Sequence, residues 1–284
     1  PGTGWGQYPI PMNNVLVHAH IFKNAGTTFD FSLSNHFGDS FVDHRNDAAF
    51  LQGKNEFLLK YLSENPAVQA LSSHSLHFRI TSDENIRTFP VYFLRHPLAR
   101  VWSVYNFERR QTDADTEGAR RAKELDLNAY VDWYMEESSP ATIRNIHTIF
   151  LSGDGPSPHA MEEKFSLACN TLENSETSIA VVERYDESML MLENSLSEFF
   201  PGLDLSYMKK NVSPESQPLG PEESANALLD KLDNDVAKKL LESNAFDIQL
   251  YERANRKLDS CLGNIPELEQ RKRDLMNRCS LLQG

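Results

Sequence analysis

Residues 23–28, Lys-Asn-Ala-Gly-Thr-Thr, carry the residue types needed to bind a phosphate or sulfate group. A glycine beside two threonines, between a strand and a helix, places backbone N–H groups and hydroxyls around one point. That point lies at the positive end of the helix dipole, and Lys23 adds a full positive charge. In the standard nucleoside-triphosphate loop the lysine follows the last glycine, whereas here it comes three residues before Gly26. An ATP or GTP site of that type is therefore not expected, and an ordinary strand-to-helix turn is the alternative.

The wider order of residues 20–28, His-Ile-Phe-Lys-Asn-Ala-Gly-Thr-Thr, resembles the P-loop-like phosphosulfate-binding loop of sulfotransferases that use 3′-phosphoadenosine-5′-phosphosulfate (PAPS). The likeness is to the branch of carbohydrate 2-O- and 6-O-sulfotransferases and their bacterial relatives, whose loop reads roughly His-Ile-Pro-Lys-Thr-Gly-Gly-Thr. This chain departs with Phe22, Asn24 and Ala25, and the last replaces a glycine at a point of close approach to phosphate. The resemblance implies that Lys23 is catalytic. It also implies that the cofactor is bound by Lys23, Asn24, Ala25, Gly26, Thr27 and Thr28.

A second segment, residues 94–105, resembles the element with which the same family binds the 3′-phosphate of the nucleotide. It reads Leu-Arg-His-Pro-Leu-Ala-Arg-Val-Trp-Ser-Val-Tyr, against a family pattern of Leu-Arg-Asp/His-Pro-x-x-Arg-x-x-Ser-x-Tyr. An arginine at the end of a strand can bind a phosphate bidentately, and a serine eight residues later can donate its hydroxyl to the same phosphate. The resemblance therefore assigns Arg95 and Ser103 to cofactor binding. For Arg100, a nucleotide contact and a role in bracing the helix both stay open.

Weaker likenesses extend over roughly residues 14–258. Residues 145–153 look like the family's Asn-x-Gln-Thr-x-x-Leu-x-Gly segment, with His147 in place of glutamine. Residues 179–189 look like its Glu-Arg-Phe-Asp-Glu-Ser strand and turn. Residues 207–211 precede an irregular loop where related enzymes place basic residues over the nucleotide.

Transfer of a sulfuryl group to a hydroxyl requires a base for the hydroxyl proton. His74 follows a short strand and matches the histidine of the family's Gly-His segment, with Ser73 in place of glycine. A neutral imidazole near pH 7 suits this proton transfer, with an ionisation expected at about pH 6–7. His77 is the second choice, followed by His147 or Glu183, and a hydrogen-bonded loop histidine is the alternative for His74. No metal site is expected, and the remaining candidates, His18, His36, His44 and His159, are interpreted as structural or surface residues.

Short apolar runs alternate with helical patterns through the first two thirds of the chain. Residues 15–20, 89–94 and 178–183 predict strands, and 68–73 predicts a weaker fourth. After the first run, Phe29, Leu33 and Phe37 recur at helical spacing. This alternation predicts an α/β fold with a central, mostly parallel sheet flanked by helices.

The last third of the chain has a helical pattern. One apolar stripe is formed by Ala225, Leu228, Leu232, Val236 and Leu240, and further helices are expected at about 245–258 and 267–282. The sequence thus predicts one sulfotransferase domain over 1–284, with its core at about 14–258 and a C-terminal helical extension at about 259–284.

Composition limits the partners. The chain of 284 residues has 28 Lys and Arg against 41 Asp and Glu, a net charge of −13. That balance argues against nucleic acid as a ligand and weakens the case for a polyanion such as heparin. No apolar run is long enough to span a membrane. The three cysteines, Cys169, Cys261 and Cys279, are expected to be thiols, with a Cys261–Cys279 bridge as the alternative.

The family resemblance implies PAPS-dependent transfer to a hydroxyl, with a saccharide as the leading acceptor. A small-molecule or carrier-bound hydroxyl, as in natural-product assembly, is the second acceptor class. An ATP-dependent phosphotransferase and a non-catalytic nucleotide-binding domain are the alternatives of other classes. Because the sequence begins with Pro1, we expect a processed or excised piece, in the cytoplasm or, if an N-terminal anchor was removed, in the Golgi lumen.

Overall fold

The structure is a computed structural model that describes residues 12–155, 159–208 and 220–282. The predicted loop over 211–218 and the basic residues Lys209 and Lys210 lie outside the described residues.

A five-stranded parallel sheet forms the centre of the molecule. Its strands are β1 (Asn13–Ala19), β2 (Phe41–Asp43), β3 (Ala70–Ser73), β4 (Ile86–Leu94) and β5 (Ser178–Val181). They lie in the order β2-β3-β1-β4-β5, and every neighbouring pair is parallel. Ala19 at the end of β1 pairs with Ser73 and with Tyr92, so the three central strands end at one edge. In such sheets, ligands bind beyond the carboxyl ends of the strands.

The predicted fold class is confirmed, and all four predicted strands are present. The sequence did not predict β2, because its three residues at the edge of the sheet are too few to show a periodic pattern. The other strands are longer and mostly buried, so their apolar character is visible in the sequence.

Twelve α-helices accompany the sheet within the described residues. They are α1 (Gly26–Phe37), α2 (Asp47–Glu64), α3 (Pro97–Arg110), α4 (Glu117–Glu124), α5 (Leu127–Tyr134), α6 (Ile146–Ser152), α7 (Met161–Glu173), α8 (Tyr185–Leu196), α9 (Pro221–Leu229), α10 (Asn234–Ser243), α11 (Ala245–Leu262) and α12 (Leu268–Leu281). None of the described helices is both long and apolar enough to cross a membrane.

The apolar stripe expected on one helix from residue 222 onward is divided between α9 and α10. A turn separates them, and Asn128 holds it in place: its Nδ2 donates to Asp233 Oδ2 at 2.9 Å, and its Oδ1 accepts the Asp233 amide at 2.8 Å. The stripe residues remain buried together in a helical core beside α3, α4 and α5. The periodicity of the apolar residues therefore predicted correctly which side of these helices is buried. It did not show that the helix ends between α9 and α10.

The larger core lies around the sheet and extends to the C-terminal helices. Leu262, Ile265 and Leu275 are buried in the same cluster as the strands. The three cysteines are free thiols, so the alternative of a disulfide between Cys261 and Cys279 is wrong.

Candidate active site

The loop between β1 and α1 has an unusual backbone. Lys23 and Ala25 both have positive φ, at 63° and 59°. Side chains with a Cβ adopt this left-handed conformation at a cost, which glycine avoids. The glycine that the family has in place of Ala25 would relieve that cost, whereas here the loop retains the bent shape with alanine.

The loop ends at Ala25, the N-cap of α1, and no described side chain caps the first amides of this helix. Within the described residues, the backbone amides of Gly26 and Thr27 donate to no acceptor. The first turn of α1 also contains no acidic residue. Thr27 is exposed, whereas Thr28 is buried and its amide donates to Ala25 O at 3.0 Å. The unpaired amides and the helix dipole together favour an anion at this point.

Gly26 is required for steric reasons. A Cβ at this position would lie 2.0 Å from Nε2 of His20, far inside van der Waals contact. The imidazole of His20 therefore lies directly on the first residue of α1. This packing holds a histidine ring at the point where the helix presents its free amides.

Positive charge is concentrated around the loop, although the whole chain is acidic. The Lys23 side chain is half-buried, and its Nζ lies 4.4 Å from the centre of the Phe107 ring. Burial, with contributions from Arg95, Arg100 and Arg110, lowers the pKa of Lys23 to about 8. At pH 7 the ammonium is still mostly protonated. Such a cluster of cations is costly without an anion between them.

Arg95 connects the end of β4 to this loop. Its Nη1 donates to Lys23 O at 3.1 Å, which fixes the guanidinium beside the backbone of the loop. Burial lowers the pKa of Arg95, but arginine remains charged at neutral pH. Ser103 is half-buried in the second turn of α3, the helix that follows Arg95. Arg95 therefore contacts the loop before α1, and the binding of a phosphate by Arg95 and Ser103 stays a prediction.

Arg100 braces the loop. The side chain is 2% exposed, its Nε donates to Phe22 O at 3.0 Å and its Nη1 donates to Thr142 O at 2.6 Å. Of the two roles left open by the sequence, bracing is the one observed. Its Nη2 is buried without a hydrogen-bond partner among the described residues.

Asn24 is the member of the loop that is most tightly held by the protein. Its side chain is 1% exposed, and Nδ2 donates to Phe93 O at 2.5 Å and to Nε2 of His147 at 2.9 Å. Its amide donates to Ile21 O at 3.2 Å. These bonds attach the loop to β4 and α6, so Asn24 shapes the site, and its predicted contact with the cofactor stays a prediction.

His74 follows β3 and faces the end of β1. Its Nδ1 lies 2.8 Å from His20 O, and because a carbonyl oxygen only accepts, this nitrogen carries the proton. Nε2 is then the unprotonated nitrogen. Burial, reinforced by His20 and Arg45, lowers the pKa of His74 to about 4. The ring is therefore neutral at pH 7, but its ionisation lies well below the pH 6–7 that the residue type alone suggested.

The other proposed bases are engaged in structural contacts. His77 Nε2 lies 3.0 Å from His74 O, and its ring lies 4.0 Å from that of Phe150. His147 is fully buried, with Nδ1 3.1 Å from Asp247 Oδ2. Glu183 accepts the His96 amide at 2.9 Å, at the start of α3, and the Tyr251 hydroxyl at 3.1 Å.

A buried histidine pair beneath the loop was not identified as a site from the sequence. His18 Nδ1 lies 2.9 Å from Asp30 Oδ1, and His20 Nδ1 lies 3.0 Å from Asp30 Oδ2. The two histidines hold the pKa of Asp30 far below its usual range, although burial alone would raise it. The His20 ring centre is 3.8 Å from that of His74. The alternation His18-x-His20 on one strand was the available signal, because residues two apart share a face.

The ligand atoms of His18, His20 and Asp30 lie within 4.8 Å of one another, which is compatible with a metal ion. This group was not predicted from the sequence, because Asp30 lies on α1, away from the two histidines along the chain. The observed contacts are those of a carboxylate shared by two imidazoles. The absence of a metal requirement stays a prediction.

A cavity of about 560 Å³ opens beside the loop. His20 and Phe22 from the loop, together with His74 and Arg100, form the part of its lining nearest β1. The rest of its lining is Ala141, Thr142, Ile146, Ile149, Phe150, His77, Gly155 and Lys164. A ligand in this cavity would contact the neutral imidazole of His74 and the ring of His20, which itself packs on Gly26 at the start of α1.

The parallel sheet, with a strand–loop–helix at the carboxyl end of β1, an arginine beside that loop and a cavity nearby, is typical of α/β proteins that bind ligands beyond the strand ends. Residues 7–252 match the profile described as the Sulfotransferase family, and the chain belongs to that family. The match agrees closely with the span of roughly 14–258 inferred from motifs.

The chain is also similar to a protein of Archaeoglobus fulgidus (strain ATCC 49558 / DSM 4304 / JCM 9628 / NBRC 100126 / VC-16) described as an uncharacterized protein. The two are 30% identical over 251 residues, which cover 85% of this chain and 96% of the relative.

Proposed function

We propose that this sulfotransferase uses PAPS as its sulfuryl donor, transfers the group to an acceptor hydroxyl and releases 3′-phosphoadenosine 5′-phosphate (PAP). The observation that carries the proposal is the junction at the carboxyl edge of the sheet. There the uncapped end of α1, Lys23 and Arg95 lie together, and the preceding loop residues His20 and Phe22 line a cavity together with His74. An overall charge of −13 makes this local concentration of cations informative, because it is not a consequence of a basic surface.

On the donor side, the amides at the start of α1, with Thr27 and Thr28, hold the 5′-phosphosulfate. Lys23 neutralises the charge that builds up on the sulfuryl group and on the bridging oxygen during transfer. Arg95 and Ser103 bind the 3′-phosphate. The contribution of the protein is positioning and electrostatic stabilisation, with no covalent intermediate on the enzyme.

On the acceptor side, Nε2 of His74 accepts the proton of the attacking hydroxyl. The new O–S bond forms as the bond from sulfur to the 5′-phosphate oxygen breaks, and PAP leaves with that electron pair. The hydrogen bond from Nδ1 to His20 O keeps Nε2 unprotonated and fixes the ring. A base with a pKa of about 4 is weak, so the proton moves late, when the hydroxyl has become more acidic by bonding to sulfur.

No metal ion takes part in this scheme, and we expect the transfer rate to be unchanged by a chelator. A saccharide was the leading acceptor on family resemblance, with a smaller alcohol as the second class. A cytoplasmic location stays part of the proposal and rests on the sequence alone.

Nucleotide binding tests the donor assignment. We expect wild-type protein to bind PAP more tightly than adenosine 5′-phosphate or ATP in calorimetry. Loss of one charge-assisted contact costs about 1.5–3 kcal/mol, so Arg95→Ala should weaken PAP about ten- to a hundredfold and should remove the preference over adenosine 5′-phosphate.

Arg87→Ala is the matched control, because Arg87 lies near the opposite end of the same strand and packs on Phe199. Its PAP affinity should stay within a factor of two. Radiolabelled transfer from PAPS then distinguishes an enzyme from a binding domain. Equal affinity of wild type for PAP and adenosine 5′-phosphate, or tighter binding of ATP, would contradict the assignment.

A further inference from the structure

The short helix α6 buries polar residues as well as apolar ones. Its polar residues His147 and Thr148 are fully buried. Both of their amides donate to the Asp247 carboxylate, at 2.9 and 2.8 Å, and the Thr148 hydroxyl donates to it as well, at 2.8 Å. A buried carboxylate on α11 therefore fixes the rotation of α6 about its own axis.

With this rotation, three apolar residues of α6 line the cavity, whereas Leu151 packs in the core. Ile146, Ile149 and Phe150 follow the spacing i, i+3, i+4 and so occupy one face of the helix. Ile149 is only half-buried and belongs to neither of the two hydrophobic cores of the described residues. An isoleucine held against an open cavity, while neighbouring polar residues are buried, is expected where a ligand supplies the missing apolar contact.

The polar groups around the cavity offer few partners to a ligand. Most hydrogen bonds of these side chains go to backbone carbonyls of the protein: His74 to His20 O, His77 to His74 O, Arg100 to Phe22 O and Thr142 O, and Lys164 to Gly155 O. Nη2 of Arg100 is an exception, because it is buried without a partner among the described residues. A saccharide brings several hydroxyls, each of which loses water on entry and needs a partner. This lining would leave many of them unsatisfied.

We propose that the acceptor is a compact alcohol or phenol with an apolar body, held on the Ile146–Ile149–Phe150 face of α6 with its hydroxyl directed towards His74. This inference rests on the proposed sulfotransferase activity and replaces the saccharide expected from family resemblance with the second acceptor class. The volume of about 560 Å³ is in the range of sites for small molecules. The polar groups at the donor side, His20, His74 and Arg100, leave one end of the ligand in polar surroundings where its hydroxyl reacts.

Matched acceptors test the proposal. Transfer from radiolabelled PAPS is measured with 2-naphthol, 4-nitrophenol and cyclohexanol, and with methyl glucoside and lactose. We expect kcat/KM for 2-naphthol to exceed that for either saccharide by at least about tenfold, because an apolar site discriminates against unpaired hydroxyls. Binding of 2-naphthol is measured separately by calorimetry, with and without PAP.

Three variants locate the contact. Ile149→Asn should lower kcat/KM for 2-naphthol at least about tenfold, and Ile149→Leu, which keeps the apolar volume, should stay within about threefold. Leu241→Asn is the control, since Leu241 is an exposed aliphatic residue on α10 that does not line the cavity. PAP affinity should be unchanged, within about twofold, in all three.

Higher kcat/KM for a saccharide, or an unchanged kcat/KM in Ile149→Asn, would overturn the proposal. So would a lack of both turnover and binding with 2-naphthol in protein that binds PAP. Failure of wild type to bind PAP would instead refute the proposed donor, whatever 2-naphthol does, so the two failures are distinguishable.

Discussion

The low pKa of Lys23 predicts an alkaline limit to activity that an ordinary lysine would not produce. Burial and three neighbouring arginines lower this pKa from 10.5 to about 8 in the free protein. The ammonium is then about 90% protonated at pH 7 and about 10% protonated at pH 9. If the charge of Lys23 is needed for transfer, kcat/KM for PAPS should fall about tenfold between these two pH values.

The charge of Lys23 determines both the direction of the pH effect and the kinetic constant that reports it. Raising the pH through 8 removes the positive charge, so activity declines with pH and does not rise. Because kcat/KM reports ionisations of the free enzyme, its limit should lie near pH 8. Bound PAPS adds negative charge beside Lys23 and raises its pKa, so the corresponding limit in kcat should lie at higher pH.

The variants separate this ionisation from others. Lys23→Arg keeps its charge at all accessible pH values and should remove the limit near pH 8, although the different shape of arginine lowers the overall rate. Lys257→Arg is the control, because Lys257 is another partly buried lysine with a lowered pKa, bonded to backbone carbonyls such as Leu172 O. The limit should persist in that variant. A flat wild-type profile to pH 9.5, or a limit near pH 8 that survives in Lys23→Arg, would refute the reasoning.

Further predictions concern the base and the loop. His74→Ala should lower turnover about 10²- to 10⁴-fold with PAP affinity nearly unchanged, and His77→Ala should have little effect, as measured by initial rates and calorimetry; the opposite pattern would exchange their roles. The acid limit of kcat/KM should lie near pH 4, since protonation of His74 below its pKa of about 4 removes the base, and a limit near pH 6–7 would contradict this assignment. Gly26→Ala should reduce the free energy of unfolding by about 1–3 kcal/mol in denaturant titrations, because the added Cβ overlaps the buried ring of His20. Gly263→Ala, whose Cβ would meet only ordinary contacts, should change it by less than about 0.5 kcal/mol, and equal effects of the two would contradict the steric argument.

Much of the fold could be predicted because the signals are local. Each long strand contains a short apolar run, and the loop at 23–28 comes soon after the first of them. Parallel strands end at one edge, so the segments after β1, β3 and β4 had to meet there. That expectation brings His20, His74 and Arg95 to the same edge without knowledge of side-chain positions.

The sequence failed to predict two features of the fold: the short strand β2 and the turn between α9 and α10. The three residues of β2 contain no usable pattern, and the stripe from Ala225 to Leu240 continues in phase across a turn that Asn128 stabilises from another helix. Contacts of this kind join residues more than a hundred positions apart. Local periodicity contains no information about them.

The sequence by itself determined the family, the parallel sheet and the position of the loop between β1 and α1, because these depend on residue order and on side-chain period. Only the tertiary structure decided the ionisation of Lys23 and His74, since burial and neighbouring charges set each pKa. It also decided that Asn24 and Arg100 brace the loop from within the protein. The rotation of α6 about its axis was likewise decided by a carboxylate from α11, and with it the apolar character of the cavity. These properties arise from distances between groups far apart in the chain, and such distances exist only once the chain has packed.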